Sequence, residues 1–167
     1  MDRERSEGVS GGSGRIWAHA CLRLVLGTNI AVHGLARVRD AAGFGAKLAA
    51  DFDGLLPSWL VGPFGAAVPF LELGIGVAVL LGLRLREALA AGGVLLASLT
   101  FGMGLRQQWE VVGLQLVYAL AYWALLYRLE DARLTADELL LERRAGRAPL
   151  GAAAPGARTH RGRGLLE

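Results

Sequence analysis

The chain has 167 residues, 53% of them hydrophobic, with a mean hydropathy of +0.40; that bounds it to one domain, richer in apolar residues than a soluble domain usually is. Its net charge of +3 comes from basic residues that follow the connecting segments and form no reading surface, so nucleic acid is not an implied partner. With Cys21 as the only cysteine, an internal disulfide, a CxxC redox pair and a thiolate metal cluster are excluded, and Cys21 itself is expected to be a small buried hydrophobe.

The leader MDRERSEGVSGGSG is charged and then Gly/Ser-rich, so residues 1–15 are expected to be disordered and cytoplasmic. The apolar run after it lacks a small-x-small cleavage site and is expected to be retained as a helix. Four apolar stretches, at 16–36, 63–83, 87–105 and 111–127, approach the roughly 20 residues that cross a hydrocarbon core of about 30 Å. They predict an all-α integral membrane protein, a four-helix transmembrane bundle over 16–128.

In the first long connection, Phe44, Leu48, Phe52 and Leu55 recur at spacings of four, four and three, which puts them on one helical face. This predicts an amphipathic extracytoplasmic helix between helices 1 and 2, lying on the membrane surface or capping the bundle, ended by Pro57, with Trp59 at the headgroup level. Arg84, Leu85 and Arg86 leave room only for a tight hairpin between the second and third spans. Gly27, Ala31 and Gly34, then Gly74 and Gly76, then Gly92, Gly93, Gly102 and Gly104 are the expected points of close helix approach. Pro69 falls within the first turns of the second span, where its effect on the axis is open.

After Tyr127 the hydropathy collapses. Thr135 and Glu138 have capping-box spacing ahead of Leu139, Leu140 and Leu141, and Arg143 and Arg144 suit a helix C-terminus, which predicts a short cytoplasmic helix within 129–145. The Gly/Ala/Pro/Arg-rich tail, 146–167, is expected to be disordered. The larger share of arginines falls on the side of the two termini and the hairpin. The positive-inside rule then orients both ends to the cytoplasm of a bacterial-type inner membrane.

The polar groups that lipid makes expensive are the candidate functional residues. His19, Arg23, Asn29 and His33 on the first span fall near −40°, 0°, −120° and −80° around the helix axis, one arc of about 120°. Glu72 is the only carboxylate within the second span. Counted at about 1.5 Å per residue from opposite ends of the spans, it lies within roughly 6 Å of the depth of Arg23. This predicts an intramembrane Arg23–Glu72 ion pair. The competing arrangement has Arg23 snorkelling to the surface and Glu72 protonated against backbone or hydroxyl groups.

Arg23, His33 and Glu72 thus form a candidate polar centre, with Asn29 beside it. Gln115, Tyr118 and Tyr122 share a face of the fourth span and are candidate lining of a cavity for a small head group such as a quinone, against the plainer reading of packing and interface residues. His19 and His33 are about 21 Å apart along one helix and cannot ligate one haem iron, and no metal site is expected. P-loop, GxSxG and HExxH motifs are absent, and Gly74-Ile75-Gly76 reads as packing.

The segment LRLVLGTNIAVHGLARV, with Arg23, Gly27, His33 and Gly34, resembles the first helix of the DoxX/DoxD superfamily of small four-helix membrane proteins. PFLELGIGVAVLLGLRLREA, with Pro69, Glu72, Gly76 and Gly82, is similar to that family's proline, glutamate and glycine pattern. Arg37 stands where a basic residue is expected after His-Gly, and the fourth helix is a looser match. The resemblance covers about residues 20–137. It implies a redox-linked subunit, since DoxD members are associated with a thiosulfate:quinone oxidoreductase and DoxX relatives with membrane redox and thiol-stress assemblies. The expected ligand is a quinone, bound without a covalent link, and the expected partners are the lipid bilayer and an oxidoreductase protein, without which the chain is not expected to be active. The alternative is a non-enzymatic scaffold or small-solute permease, which with four spans would act as a homo-oligomer.

Overall fold

A computed structural model describes residues 2–145. Among them the elements are α1 (Asp2–Arg37), a 3-10 turn (Val38–Asp40), α2 (Ala41–Asp51), α3 (Ser58–Leu81), α4 (Leu85–Leu105), α5 (Trp109–Tyr127), a second 3-10 turn (Leu129–Asp131) and α6 (Ala136–Ala145). The described chain is all-helical, as befits long apolar runs whose backbone groups must be satisfied within their own segment in lipid. α3, α4 and α5 are each long and apolar enough to cross a membrane, which fits a multi-pass membrane protein. α1 is longer, but its apolar run is interrupted by four polar residues, and hydropathy alone does not qualify it. The tail expected to be disordered, with His160, lies outside the described residues.

α1 lies antiparallel on α3 with almost nothing between the backbones. A Cβ on Gly27 would stand 2.7 Å from the Leu80 nitrogen, Gly34 is set against Leu73 and the Pro69 carbonyl, and Gly76 against Ala31. These contacts fix the register, placing Glu72 level with Gly34 and Leu35, and Arg23 level with Gly82. α2 folds back on α3 through Gly45, which faces Gly62 and Ala66, and Leu48, which fills the space over Gly65. α3 packs in turn on α4, α4 on α5, and α5 returns to α1. Where they meet, Leu26, Val79, Leu89, Tyr122 and Leu125 are buried.

The α3–α4 turn is tight because two residues are left-handed. Gly82 takes φ 68°, letting the Leu83 N–H close back on the Ala78 carbonyl at 2.9 Å, and Arg84 follows at φ 41°. At the other end of the molecule, Asp40 accepts a hydrogen bond from the Gly43 N–H to start α2.

Several expectations change. α1 begins at Asp2 and runs through the stretch expected to be disordered, since extending an existing helix is far easier than nucleating one. Pro57 does not so much end α2, which stops at Asp51, as start α3, which begins five residues ahead of Pro63; in the second turn Pro63 forfeits a single backbone bond. α2 caps the helices and does not lie apart on a surface. Of the glycines expected at contacts, Gly74, Gly93 and Gly104 face open space. Cys21 is exposed, on the side of α1 away from α3.

The outer surface is apolar, with Val25, Val94, Leu116 and Val117 all largely exposed. All four tryptophans are exposed: Trp59 and Trp109 at the starts of α3 and α5 near α2, Trp123 in the last turns of α5 and Trp17 midway along α1 near the α3–α4 hairpin, where Trp123 stacks on Tyr127.

Candidate functional site

The arc of polar residues on α1 is divided between two places. At the hairpin end, His19 Nε2–H donates to the Leu125 carbonyl at 3.3 Å. Arg23 donates through Nη2 to the Leu134 carbonyl at 3.0 Å and through Nη1 to that of Arg133 at 3.5 Å. Both side chains are buried, His19 tying the end of α5 to α1 and Arg23 the segment after it. Asp131, also buried, receives Arg15 and Arg128 in the same place. Thr135 accepts from the Glu138 N–H, while Glu138 accepts from the Leu134 N–H and from Arg133. That hydrogen bond from Arg133, helped by the one from Leu134, holds the Glu138 carboxyl below its ordinary range, and the pairing raises Arg133.

Arg23 therefore does not pair with Glu72. The carboxylate of Glu72, 9% exposed, takes Arg37 instead, whose Nη1 donates to Oε2 at 2.9 Å and to Oε1 at 3.2 Å. The register explains the difference. Aligning the ends of the apolar runs sets Arg23 opposite Gly76, whereas the glycine contacts shift α1 by about two turns along α3. Arg37 lies on the arc already drawn, four residues beyond His33 and at the same angle as His19. The signal for it is in the sequence, one residue past the end of the 16–36 apolar run.

Arg37 and Glu72 form one wall of a cavity of about 360 Å³ between α1, α2, α3, α4 and α5, a volume in the range of small-molecule sites. His33, Asn29, Gln115, Tyr118 and Tyr122 also line it, so the candidate residues other than His19 and Arg23 come to this one place. Phe44 of α2 covers the pair, its ring centroid 5.2 Å from the Arg37 guanidinium carbon. Asn29 donates to the Tyr118 hydroxyl at 3.4 Å, and the Tyr122 ring occupies the space that a side chain at Gly92 would need.

The cavity presents both halves of a hydrogen-bonding surface. The Gln115 Oε1 is buried with no partner. The Nδ1 of His33 sits 2.8 Å from the Asn29 carbonyl and must donate to it, which leaves the lone pair on Nε2. Arg37 reaches Glu72 through Nη1 alone, so its remaining guanidinium N–H groups can meet an acceptor. Because the ion pair is internally neutral, the arrangement suits an uncharged ligand with both donor and acceptor groups. Among the described residues no three His, Cys, Asp or Glu side chains come together as a metal site.

Residues 15–112, more than half of the chain, match the family model described as methylamine utilisation protein MauE. The chain belongs to the MauE family. The match runs from α1 through α4 into the start of α5, and so takes in Asn29, His33, Arg37 and Glu72. It overturns the resemblance to the DoxX/DoxD superfamily, which is a different membrane family. The residues that carried the resemblance were poor discriminators: Gly27, Gly34 and Gly76 are what any two closely apposed membrane helices need. No curated protein and no solved structure matches the chain of this MauE-family member.

Proposed function

We propose that this protein is a membrane subunit of a redox system for amine utilisation, and that it binds the head group of a lipid-soluble quinone in the cavity walled by Arg37 and Glu72. The family description supports the amine-linked setting. The observation that carries the binding role is the cavity itself, where the unpartnered Gln115 Oε1, the His33 Nε2 lone pair and the spare Arg37 donors surround one space. A quinone carbonyl accepts from Arg37; the hydroxyls of its reduced form donate to Gln115 and His33. The partner is an oxidoreductase of the same system.

In this reading α1 is a fourth span and the four long helices form a transmembrane bundle. Trp17 on α1 and Trp123 on α5, joined in depth by the His19–Leu125 bond, support it, since aromatic residues favour the two interfaces. Arg15, Arg84, Arg86, Arg128 and Arg133 at the hairpin end support a cytoplasmic position for that end, in a bacterial-type inner membrane, with α2 outside.

Organic extraction of the purified protein, followed by mass analysis of the lipid-soluble fraction, tests the binding role. Quinone is expected in the wild type and is expected to be lost from folded Arg37→Gln. Its absence from the wild type, together with no uptake of added quinone, would overturn the reading.

A further inference from the structure

The Arg37–Glu72 cavity, whose few polar groups sit in a mostly apolar lining, has an apolar neighbour. A second space of about 480 Å³ lies between the end of α2, the first turns of α3 and the last turns of α4, and its only hydroxyl, that of Ser98, is spent on the Val94 carbonyl. Leu48, Leu99 and Met103 line both spaces, so these three side chains form a shared border. None of the three makes a hydrogen bond through its side chain, and Met is the most adaptable of apolar residues.

The stripe on α2 roofs both spaces. Phe44 and Leu48 face the polar cavity, whereas Leu48 and Phe52, with Leu56 beyond the helix, face the apolar one. Phe52 is buried against Gly102 of α4, and the half-buried Leu48 packs on Gly65 of α3, so this end of α2 stands between α3 and α4. α2 is held there by Arg106, which pairs with Asp51 at 3.4 Å and lies 5.5 Å above the Phe52 ring. On its far side the apolar space is bordered by Leu60 and Phe101, both exposed on the lipid-like surface.

We propose that the two spaces are one binding site for an amphiphile, whose head sits against Arg37, Gln115 and His33 and whose hydrocarbon tail runs beneath α2, past Leu48, Leu99 and Met103, and out to the lipid between α3 and α4. This rests on the reading of the polar cavity as a head-group site and adds the tail as a determinant of recognition. The polar groups of the first cavity alone do not distinguish a small head group from a tailed ligand. The continuous apolar path, roofed by a helix and opening toward lipid, selects a ligand that is dissolved in the membrane. Because a tail leaving lipid gains no hydrophobic burial, its contribution comes from packing and is modest.

The test uses the full-length protein in one detergent and two benzoquinone probes with the same dimethoxy-methyl head, one without a tail and one with a decyl tail. Affinity is read for the wild type, for Arg37→Gln, and for Ala97→Phe and Ser98→Phe, two variants that fill the apolar space from residues outside the polar cavity. Both positions are exposed, so at least one variant is expected to fold. The expected result is about tenfold weaker decyl binding in the filled variants, with the tailless probe changed less than twofold, and loss of both probes in Arg37→Gln. If the filled variants hold the decyl probe as the wild type does, the tail does not use this path, and the apolar space belongs to a lipid acyl chain or to no ligand; the head site would stand. If neither probe binds the wild type, or Arg37→Gln alters neither, the head site and the tail path fall together.

Discussion

The change with most consequence at the scale of single residues is which arginine meets Glu72. Removing one partner of a charged hydrogen-bonded pair costs about 2 kcal/mol, because the other is left without its counter-group in an apolar wall. Arg37→Gln and Glu72→Gln are each expected to destabilise by about that amount. The double variant is expected to lose at least about 1 kcal/mol less than the sum, measured by denaturation in micelles. Arg23→Gln combined with Glu72→Gln is expected to be additive, and coupling there would return Glu72 to Arg23. Leu134 offers a gain in place of a loss. Its φ of 57° is left-handed, a conformation that costs a branched L-residue about 1 kcal/mol or more, and its side chain is 63% exposed. Asn accepts that conformation, so Leu134→Asn is expected to stabilise by about 0.5–1 kcal/mol in the same assay; no gain would mean that the Arg23 and Glu138 bonds to its backbone already offset the strain.

Between elements, register is the quantity that hydropathy does not carry. Apart from the start of α1, fourteen residues ahead of its run, the long helices begin and end within about five residues of their apolar runs, and the stripe of Phe44, Leu48 and Phe52 was legible from spacing alone, because burial demands both patterns. Which residues share a face was legible too: Asn29, His33, Gln115, Tyr118 and Tyr122 all reach the cavity. The depth of one helix against another was not, because it is set by which glycines lack room, and Gly34 and Gly74 look alike in sequence. Gly34→Ala is expected to part α1 from α3, lowering stability by several kcal/mol or abolishing folding, since its Cβ would enter the Leu73 backbone. Gly74→Ala faces open space and is expected to be neutral or slightly stabilising, through helix propensity. Equal effects would refute the register. The start of α6 has its own dependence on pH. Glu138 is depressed in the folded state, so its contribution is complete above the ordinary carboxylate range and is lost as the pH falls through the lowered folded value. Amide protection at 134–142, corrected for intrinsic exchange, is expected to decline there, and the decline should vanish in Glu138→Gln.

For the whole molecule, the open question of topology reduces to α1. If only α3, α4 and α5 crossed the membrane, the start of α1 would lie on the same side as α2. The packing argues otherwise. α1 runs antiparallel to α3 from the level of Gly82 to that of Pro69, with backbones in contact at Gly27, Gly34 and Gly76, which supports the proposed reading in which it crosses the membrane beside α3. Its own polar residues do not oppose this, because His19 and Arg23 bond to carbonyls on the neighbouring chain segments and His33 and Arg37 turn to the cavity. In the proposed four-span reading these internal partners offset much of the cost of the polar groups on α1, although the Nδ1 of His19 and the Nε of Arg23 are buried without a partner. In a Cys21→Ser background, single cysteines at Ser13, Lys47 and Arg86 distinguish the two topologies by labelling with a membrane-impermeant thiol reagent on intact cells. Four spans require Ser13 and Arg86 to be protected together and only Lys47 to be labelled, whereas three spans require Ser13 to be labelled with Lys47. The second outcome would also detach the polar cavity from the membrane interior, since Asn29, His33 and Arg37 reach it from α1.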